Sequence, residues 1–213
     1  MSQSVNHIAV VDYGMGNLHS VAKALEHVCK NAKVSITADA TVVESADRVV
    51  FPGVGAIGDC MSEIQRLKIN EVINNAIITK PVLGICVGMQ LMATNGFEGT
   101  SAQGLNWIKG NVIALKPEPK NKYKIPHMGW NKINLRKSAH SFSSYLVDDV
   151  FYYFVHSYHF VPDNPDDCIA VTDYGQNVTA IVANENKIGT QFHPEKSQKA
   201  GLTLLSSFLN WRI

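Results

Sequence analysis

The stretch "PVLGICVGMQ", residues 81–90, is an apolar run that reaches a cysteine and then becomes glycine-rich and polar. Residues 81–86 have the length and composition of a buried strand, and "VGMQLMATN" (87–95) continues in a helical pattern. Gly84 and Gly88 each lie two residues from Cys86 and leave room for a sharp bend. The stretch therefore predicts a strand, a tight turn at Cys86 and a helix.

Strand and helix patterns alternate in the same way before this stretch. "HIAVVDY" (7–13), "KVSITA" (33–38) and "RVVFPG" (48–53) are strand-like. Apolar residues at helical spacing occupy residues 18–30, and those between Ala56 and Thr79 suit one or two helices. This alternation predicts an α/β fold with a doubly wound, mostly parallel sheet and flanking helices.

The pattern changes after about residue 107. Five strand-like stretches follow, separated by Pro, Asn, Asp and Gly: 107–116, 124–133, 151–160, 168–174 and 178–195. They predict an antiparallel extension of the first sheet. A closing helix is expected within 197–212, where Leu202, Leu205 and Leu209 form one apolar stripe beside Phe208. The most loop-like stretch (116–124) is too short to divide domains, so residues 1–213 are predicted to form a single domain.

The composition excludes several function classes. Hydrophobic residues make up 46% and charged residues 17%, as in a globular protein with a sizeable core. A formal net charge of +1 provides no basic field for nucleic acid. No apolar run approaches the ~18 residues of a membrane helix. The start "MSQSVNHIAVVDYG" is too polar for a signal peptide, so a cytoplasmic protein is expected.

The four cysteines are scattered and contain no C-x-x-C pair. They are Cys29, Cys60, Cys86 and Cys168. In a reducing compartment they are expected to be thiols, and neither a disulfide framework nor a zinc site is predicted. No metal and no cofactor are expected.

Gly-Ile-Cys-Val-Gly (84–88) has the form of a nucleophile elbow in which cysteine replaces serine. Strain at the bend would expose the sulfur of Cys86, and the N-terminus of the following helix would favour its thiolate. The backbone N–H of Val87 could stabilise an oxyanion. The alternative is an inert thiol packed in the core.

A thiolate that attacks a carbonyl needs a base, and "QFHPEKS" offers one in His193. His193 and Glu195 are two residues apart, so in an extended chain their side chains project to the same face. The carboxylate could then hold the imidazole as the third member of a triad. Pro194 removes a backbone donor and keeps the stretch extended. The alternative is a surface turn with two solvated polar groups.

The glycine-rich corner "FPGVGAIGD" (51–59) also follows a strand and precedes a helix. It lacks the spacing of phosphate-binding loops. Gly53 and Gly55 can adopt conformations closed to other residues, so a backbone N–H at Gly53 or Val54 could complete the oxyanion hole. The alternative is an ordinary strand-to-helix turn.

In this order, "PGVG", "GICVGMQ" and "QFHPEKS" resemble the class I (triad) glutamine amidotransferases over essentially the whole chain. The resemblance implies that Cys86 attacks the side-chain amide of L-glutamine, that His193 protonates the departing ammonia and that Glu195 orients His193. It also implies glutamine-binding roles for Gln90, for Glu98 and for the backbone of "HSY" (His156, Ser157 and Tyr158).

Three further stretches, "DYGMGN" (12–17), "PGVGAIGD" and "PHMGWN" (126–131), look like the glutaminase subunits of imidazole glycerol phosphate synthase in histidine biosynthesis. The resemblance implies a partner, a separate (β/α)₈-barrel cyclase subunit that receives the ammonia. It places Asn17, Trp130 and Lys196 at the interface. Trp130 in a glycine-flanked loop also suits an interface anchor, or alternatively packing against the domain's own core.

Other functions remain open to the sequence alone. The same glutaminase chemistry could supply a barrel homologue that amidates a surface-polysaccharide sugar. A cysteine hydrolase on a similar scaffold would act without a partner. A non-catalytic subunit would not need Cys86, His193 and Glu195 intact.

Overall fold

The computed structural model describes residues 5–213. Residues 1–4 lie outside the described residues. They belong to the polar N-terminal stretch for which no signal peptide is predicted. The strands are β1 His7–Val11, β2 Lys33–Thr37, β3 Arg48–Gly53, β4 Val82–Cys86, β5 Asn95–Glu98, β6 Thr100–Gln103, β7 Gly110–Ala114, β8 His127–Lys132, β9 Asn134–Leu135, β10 Phe151–His156, β11 Tyr158–Pro162, β12 Cys168–Asp173, β13 Asn177–Asn184 and β14 Lys187–Thr190. The α-helices are α1 Leu18–Val28, α2 Ala40–Ser45, α3 Ile57–Arg66, α4 Asn70–Thr79, α5 Val87–Gln90 and α6 Gln198–Asn210. Short 3₁₀ helices cover Ser141–Tyr145, Pro165–Asp167 and Pro194–Lys196.

The central sheet has eight strands in the order β2-β1-β3-β4-β14-β13-β12-β9. Neighbours from β2 to β14 run parallel, and those from β14 to β9 run antiparallel. Helix α1 packs against α6, and α2 packs against α4. Strand β4 is buried throughout, as expected of a parallel strand covered on both faces. The predicted α/β fold with a mostly parallel sheet and an antiparallel extension is confirmed.

Three of the five late stretches, however, do not extend this sheet. Residues 107–116 supply β7 to a separate four-stranded sheet in the order β11-β7-β5-β6. Residues 124–133 supply β8, and 151–160 supply β10 and β11; β8 and β10 pair only with each other. The prediction for these stretches was wrong because an alternating pattern indicates a strand and its buried face but does not indicate which other strand it pairs with.

The helix predicted over 87–95 was also too long, because α5 ends at Gln90. The N–H groups of Met92 and Ala93 reach back only three residues. The carbonyls of Leu91, Met92 and Ala93 instead accept hydrogen bonds from the backbone of residues 105–108. The chain therefore leaves the helix after one turn and enters β5.

Most of the remaining element predictions agree with the structure. The stretch 178–195 is an exception, because β13 and β14 are followed there by the 3₁₀ helix Pro194–Lys196, so the chain at Pro194 is not extended as predicted. Two helices, α3 and α4, lie between Ala56 and Thr79. Residues 116–124 contain neither helix nor strand. In α6, Leu205, Phe208 and Leu209 are buried, whereas Leu202 is half-buried. No helix in the part of the chain from residue 5 onward combines the length and apolarity needed to cross a bilayer.

Candidate active site

Cys86 ends β4 at a bend whose backbone is left-handed in φ. Its φ is 55°, a value that few non-glycine residues adopt. A Cβ on Gly84 would lie 2.6 Å from the carbonyl oxygen of Gly88, and a Cβ on Gly88 would overlap the carbonyl oxygen of Phe51. The two glycines therefore let the chain fold back tightly against β3, which fixes the position of Cys86.

The helix after Cys86 is too short to supply the dipole that the sequence predicts. Helix α5 has four residues, and a macrodipole builds up from aligned peptides over a longer run. Closer groups surround the sulfur instead. The side-chain Nε2 of Gln191 lies 3.8 Å from Sγ, and the carbonyl oxygen of Val155 lies 4.0 Å from it. Cys86 thus faces groups from β10 and from the segment after β14, and it is buried, whereas the elbow pattern predicted an exposed sulfur.

His193 and Glu195 form a buried pair beside Cys86. Nδ1 of His193 is 2.8 Å from Oε1 of Glu195, and both side chains are almost wholly buried. Burial lowers the pKa of His193, but hydrogen bonds and negative charge from Cys86 and Glu195 outweigh it and raise the pKa to about 9. With Nδ1 turned to the carboxylate, Nε2 is the ring nitrogen left to interact with Cys86. The arrangement can hold a protonated imidazole next to Cys86.

The turn that carries this pair is fastened to β10. The backbone N–H of His193 donates to the carbonyl of Tyr153 (3.0 Å), and the N–H of Tyr153 donates to Oγ of Ser197 (3.0 Å). Oγ of Ser197 in turn donates to the carbonyl of His193 (2.6 Å). Gly201 lets α6 approach so closely that a Cβ would overlap the carbonyl oxygen of Pro194. Sequence reasoning missed Ser197, whose role depends on a strand 44 residues away.

The predicted oxyanion corner lies directly beside Cys86. Gly53 is the register partner of Cys86 across β3 and β4. A Cβ on Gly53 would lie 2.8 Å from the backbone nitrogen of Gly88, so only glycine fits without displacing the elbow. Gly55 has φ +99°, and Val54 between these glycines is exposed. Val87 is buried next to Cys86. The structure thus brings Gly53, Val54 and Val87 to one corner.

The residues predicted to bind glutamine lie around this corner. Nε2 of Gln90 donates to the carbonyl of Tyr158 (3.0 Å). The carbonyl of the neighbouring Ser157 accepts the N–H of Leu115, which ties it to the end of β7. These contacts bring the chain between β10 and β11 to the helix that follows Cys86.

Glu98 reaches from β5 to the start of α3, the helix that follows this corner in the chain. Its Oε2 accepts the backbone N–H of Ile57 (3.3 Å), at the start of α3. Burial and the nearby Asp59 raise the pKa of Glu98, while the hydrogen bond from Ile57 lowers it in part. The carboxylate is therefore next to the segment that follows "PGVG".

Gln191 is a site residue that the sequence reasoning did not assign. It is fully buried, its Oε1 accepts from Nε2 of Gln90 (3.0 Å), and its own Nε2 faces Cys86. The signal available was its place in "QFHPE", two residues before His193. The strand alternation expected for this stretch is not present, because Pro194–Lys196 form a 3₁₀ helix.

The three residues predicted at a partner interface lie on elements that meet near the His193 turn. Trp130 is 47% exposed, which favours the interface interpretation over a core residue, and its ring packs edge-on against that of Tyr153 at 6.1 Å. Lys196 is exposed on the 3₁₀ helix Pro194–Lys196, which α1 contacts. Asn17 precedes α1 and makes no side-chain capping hydrogen bond.

No group of three or more His, Cys, Asp or Glu side chains within residues 5–213 is arranged to hold a metal ion. The chemistry available at the site is that of a thiol, an imidazole and a carboxylate, surrounded by backbone donors.

Comparison with known proteins agrees with this constellation. The profile of the "Glutamine amidotransferase class-I" family matches residues 9–210. The chain is 44% identical to "Imidazole glycerol phosphate synthase subunit HisH" of Methylococcus capsulatus, over 97% of both chains. It is 45% identical to the protein of the same name in Mesorhizobium japonicum, over 96% of this chain and 99% of that one. The chain belongs to the class I glutamine amidotransferases, among their HisH subunits.

Solved structures share the fold of this amidotransferase. The PurLQS structure from Thermotoga maritima superimposes with a TM-score of 0.74 at 19% identity, covering 97% of this chain and 98% of that one. The glutaminase domain of Trypanosoma brucei CTPS gives a TM-score of 0.60 at 15% identity, covering 95% of this chain and 93% of that one. At these identities the likeness extends to the fold alone.

Proposed function

We propose that the chain hydrolyses L-glutamine to glutamate and ammonia through a thioester on Cys86, and channels the ammonia to a (β/α)₈-barrel cyclase subunit of imidazole glycerol phosphate synthase in histidine biosynthesis. The observation that carries the proposal is the buried His193–Glu195 pair beside a cysteine on a strained bend. The HisH relatives support the acceptor.

The first half-reaction forms the thioester. A protonated His193 beside the sulfur stabilises the thiolate of Cys86, which attacks the side-chain carbonyl carbon of glutamine. The oxygen of that carbonyl gains negative charge, and backbone N–H groups at Val87 and at Gly53 or Val54 are the donors proposed to stabilise it. His193 then gives its proton to the amide nitrogen, the C–N bond breaks and ammonia leaves.

The second half-reaction regenerates the enzyme. His193, now neutral, accepts a proton from water, whose oxygen attacks the thioester carbon. The C–S bond breaks and releases glutamate and the Cys86 thiolate. Throughout, Glu195 holds Nδ1 of His193, which fixes the tautomer and stabilises the imidazolium. Gln90, Glu98, Ser157 and Tyr158 are proposed to bind the glutamine that reacts.

A partner is expected because free ammonia is mostly protonated, and therefore not nucleophilic, at neutral pH. The paired strands β8 and β10 offer a docking surface in which Met128, Trp130 and Phe151 are each about half exposed or more. Asn17 and Lys196 border it on elements that contact one another. Exposed aromatic and methionine side chains are typical of interface cores. We propose that the barrel docks here.

We propose that residues 1–213 act as one domain, since buried side chains from Ile8 to Trp211 belong to one core cluster. We also propose a cytoplasmic location, which suits a biosynthetic enzyme whose four cysteines are all free in the structure.

The proposal predicts a partner-dependent glutaminase. Glutamate release is measured for the chain alone, with the barrel cyclase, and with the cyclase and its ribonucleotide substrate. We expect low activity alone and a rate at least about 10-fold higher in the full complex, which corresponds to about 1.4 kcal/mol of added transition-state stabilisation.

Two outcomes would redirect the proposal. Full-rate hydrolysis without any partner would contradict channelling and favour an independent cysteine hydrolase. Stimulation only by a barrel homologue that amidates a polysaccharide sugar would keep the glutaminase and change the acceptor.

A further inference from the structure

Two buried histidines that the mechanism does not use form a hydrogen-bonded pair behind the glutamine site. Nδ1 of His127 on β8 lies 3.0 Å from Nε2 of His156 on β10. The ring of His127 also stacks between those of Phe154 and Tyr174, at 4.8 Å and 3.9 Å. The pair is therefore held in place by packing as well as by its hydrogen bond.

The contacts fix which nitrogen of each ring carries the hydrogen. Nδ1 of His156 lies 2.8 Å from the carbonyl oxygen of Tyr158, which can only accept, so Nδ1 is the protonated nitrogen. Nε2 of His156 must then accept from Nδ1–H of His127. Nε2 of His127 in turn accepts from the amide Nδ2 of Asn131 (3.3 Å). Each ring is a donor on one side and an acceptor on the other.

Both rings are neutral at physiological pH. Burial lowers the pKa of His127 to about 4. Burial also lowers the pKa of His156, to about 3; the hydrogen bond to Tyr158 opposes this shift and neighbouring histidines add to it. The tautomers assigned from geometry are therefore the forms present at pH 7.

The chain of hydrogen bonds continues from the Tyr158 carbonyl to the sulfur. This oxygen also accepts Nε2 of Gln90, and the second N–H of Gln90 goes to Oε1 of Gln191 (3.0 Å each). The amide of Gln191 is thereby turned so that its Nε2 faces Sγ of Cys86. A donor aimed at sulfur interacts more strongly with a thiolate than with a thiol.

We propose that His127 and His156 are positioning residues for glutamine hydrolysis. They hold the Tyr158 carbonyl between two donors, and through it they orient the amides of Gln90 and Gln191 at the substrate. This inference rests on the proposed glutaminase function. Both lone pairs of the carbonyl and both N–H groups of Gln90 are engaged, so the network has one satisfied arrangement.

Two substitutions of His127 separate positioning from mere packing. His127→Phe keeps an aromatic ring between Phe154 and Tyr174 but removes the donor to His156. His127→Asn loses the stacking but restores an amide N–H near the position of Nδ1. Kinetics for glutamine are measured on the complex with the barrel cyclase, and unfolding midpoints are measured on the same variants.

We expect the two measurements to rank the variants in opposite orders. In His127→Phe, kcat/KM for glutamine should fall about 3- to 10-fold, the effect of one lost hydrogen bond, with most of the change in KM. In His127→Asn, KM should stay within about twofold of the wild type because the hydrogen bond is restored. His127→Phe should nevertheless unfold at the higher denaturant concentration of the two.

Two results would overturn the inference. One is a higher KM in His127→Asn than in His127→Phe, so that KM and stability rank the variants in the same order. The other is a wild-type KM in His127→Phe. If His127→Phe does not fold, Asn131→Ala is measured in its place. Asn131 is half-buried, and its amide donates to His127 at the start of the hydrogen-bond network. An unchanged KM for glutamine in Asn131→Ala would also overturn the inference. A wild-type complex that releases no glutamate would instead overturn the proposed function, and the inference with it.

Discussion

Replacing Cys86 with alanine is expected to reduce glutamate release by the full complex at least about 10⁴-fold, because members of a catalytic triad act as a unit. Without the sulfur no thioester forms, and His193 has no thiolate to pair with. Backbone donors at the oxyanion corner could still polarise the amide but could not cleave it. The measurement is the initial rate of glutamate formation at saturating glutamine with the barrel partner and its ribonucleotide.

Cys29→Ala is the matched control, because Cys29 is only half-buried at the end of α1 and lies outside the site. Cys29→Ala should keep the wild-type rate, and the free energy of unfolding of both variants should stay within about 1 kcal/mol of the wild-type value. A Cys86→Ala complex that still releases glutamate at a tenth of the wild-type rate or more would contradict the nucleophile assignment.

Replacing Gly88 with alanine is expected to destabilise the fold by about 3 kcal/mol or more, the upper range for a group inserted into a packed interior. The added Cβ would overlap the carbonyl oxygen of Phe51, a backbone atom of β3 that cannot rotate aside. Relief requires β3 and the elbow to separate, which also displaces Gly53 from Cys86. Urea unfolding followed by far-ultraviolet circular dichroism measures the loss.

Gly58→Ala provides the control for this substitution. Gly58 lies in the first turn of α3, and a Cβ there would meet only the Cβ of Ala102, at an ordinary 3.6 Å. Alanine is favoured over glycine in a helix, so this variant should be as stable as the wild type or slightly more stable. Equal midpoints for Gly88→Ala and Gly58→Ala would show that the close approach at Gly88 is not needed.

Sequence patterns predicted the part of the fold in which each strand is followed directly by its turn and helix. Each of β1, β3 and β4 is a short apolar run followed by a turn and a helix, so order along the chain implied the parallel sheet. Helix α1 was visible from apolar residues at helical spacing.

Two of the failures concern pairing between distant segments. Nothing within residues 87–95 shows that the backbone of residues 105–108 captures the carbonyls after Gln90 and ends α5. Likewise, the alternation in β8 and β10 predicts strands but not that they leave the central sheet for each other. Long-range hydrogen bonds decided both outcomes, and a local pattern does not contain them.

The same distinction applies to the site. The bend at Cys86 could be predicted because it is set within a few residues. The contact between His193 and Glu195 was also expected, but from an extended chain, whereas a 3₁₀ helix at Pro194–Lys196 produces it. That the cysteine and the histidine meet could be inferred only by resemblance, since the segments are more than a hundred residues apart in "GICVG" and "HPE". Gln191 and the side chains of His127 and His156 went unassigned because their roles depend on partners from three different strands and loops.

The most direct test of the account is to find which cysteine reacts with a glutamine analogue. The complex is incubated with the diazoketone 6-diazo-5-oxo-L-norleucine, and its peptides are analysed by mass spectrometry. The diazo carbon takes up a proton, and a thiolate then forms a thioether at that carbon with loss of nitrogen gas. We predict one adduct, on the peptide that contains Cys86, and protection by excess glutamine. An adduct on Cys29, Cys60 or Cys168 with Cys86 unmodified, or no adduct in a complex that hydrolyses glutamine, would contradict the claim that Cys86 is the nucleophile.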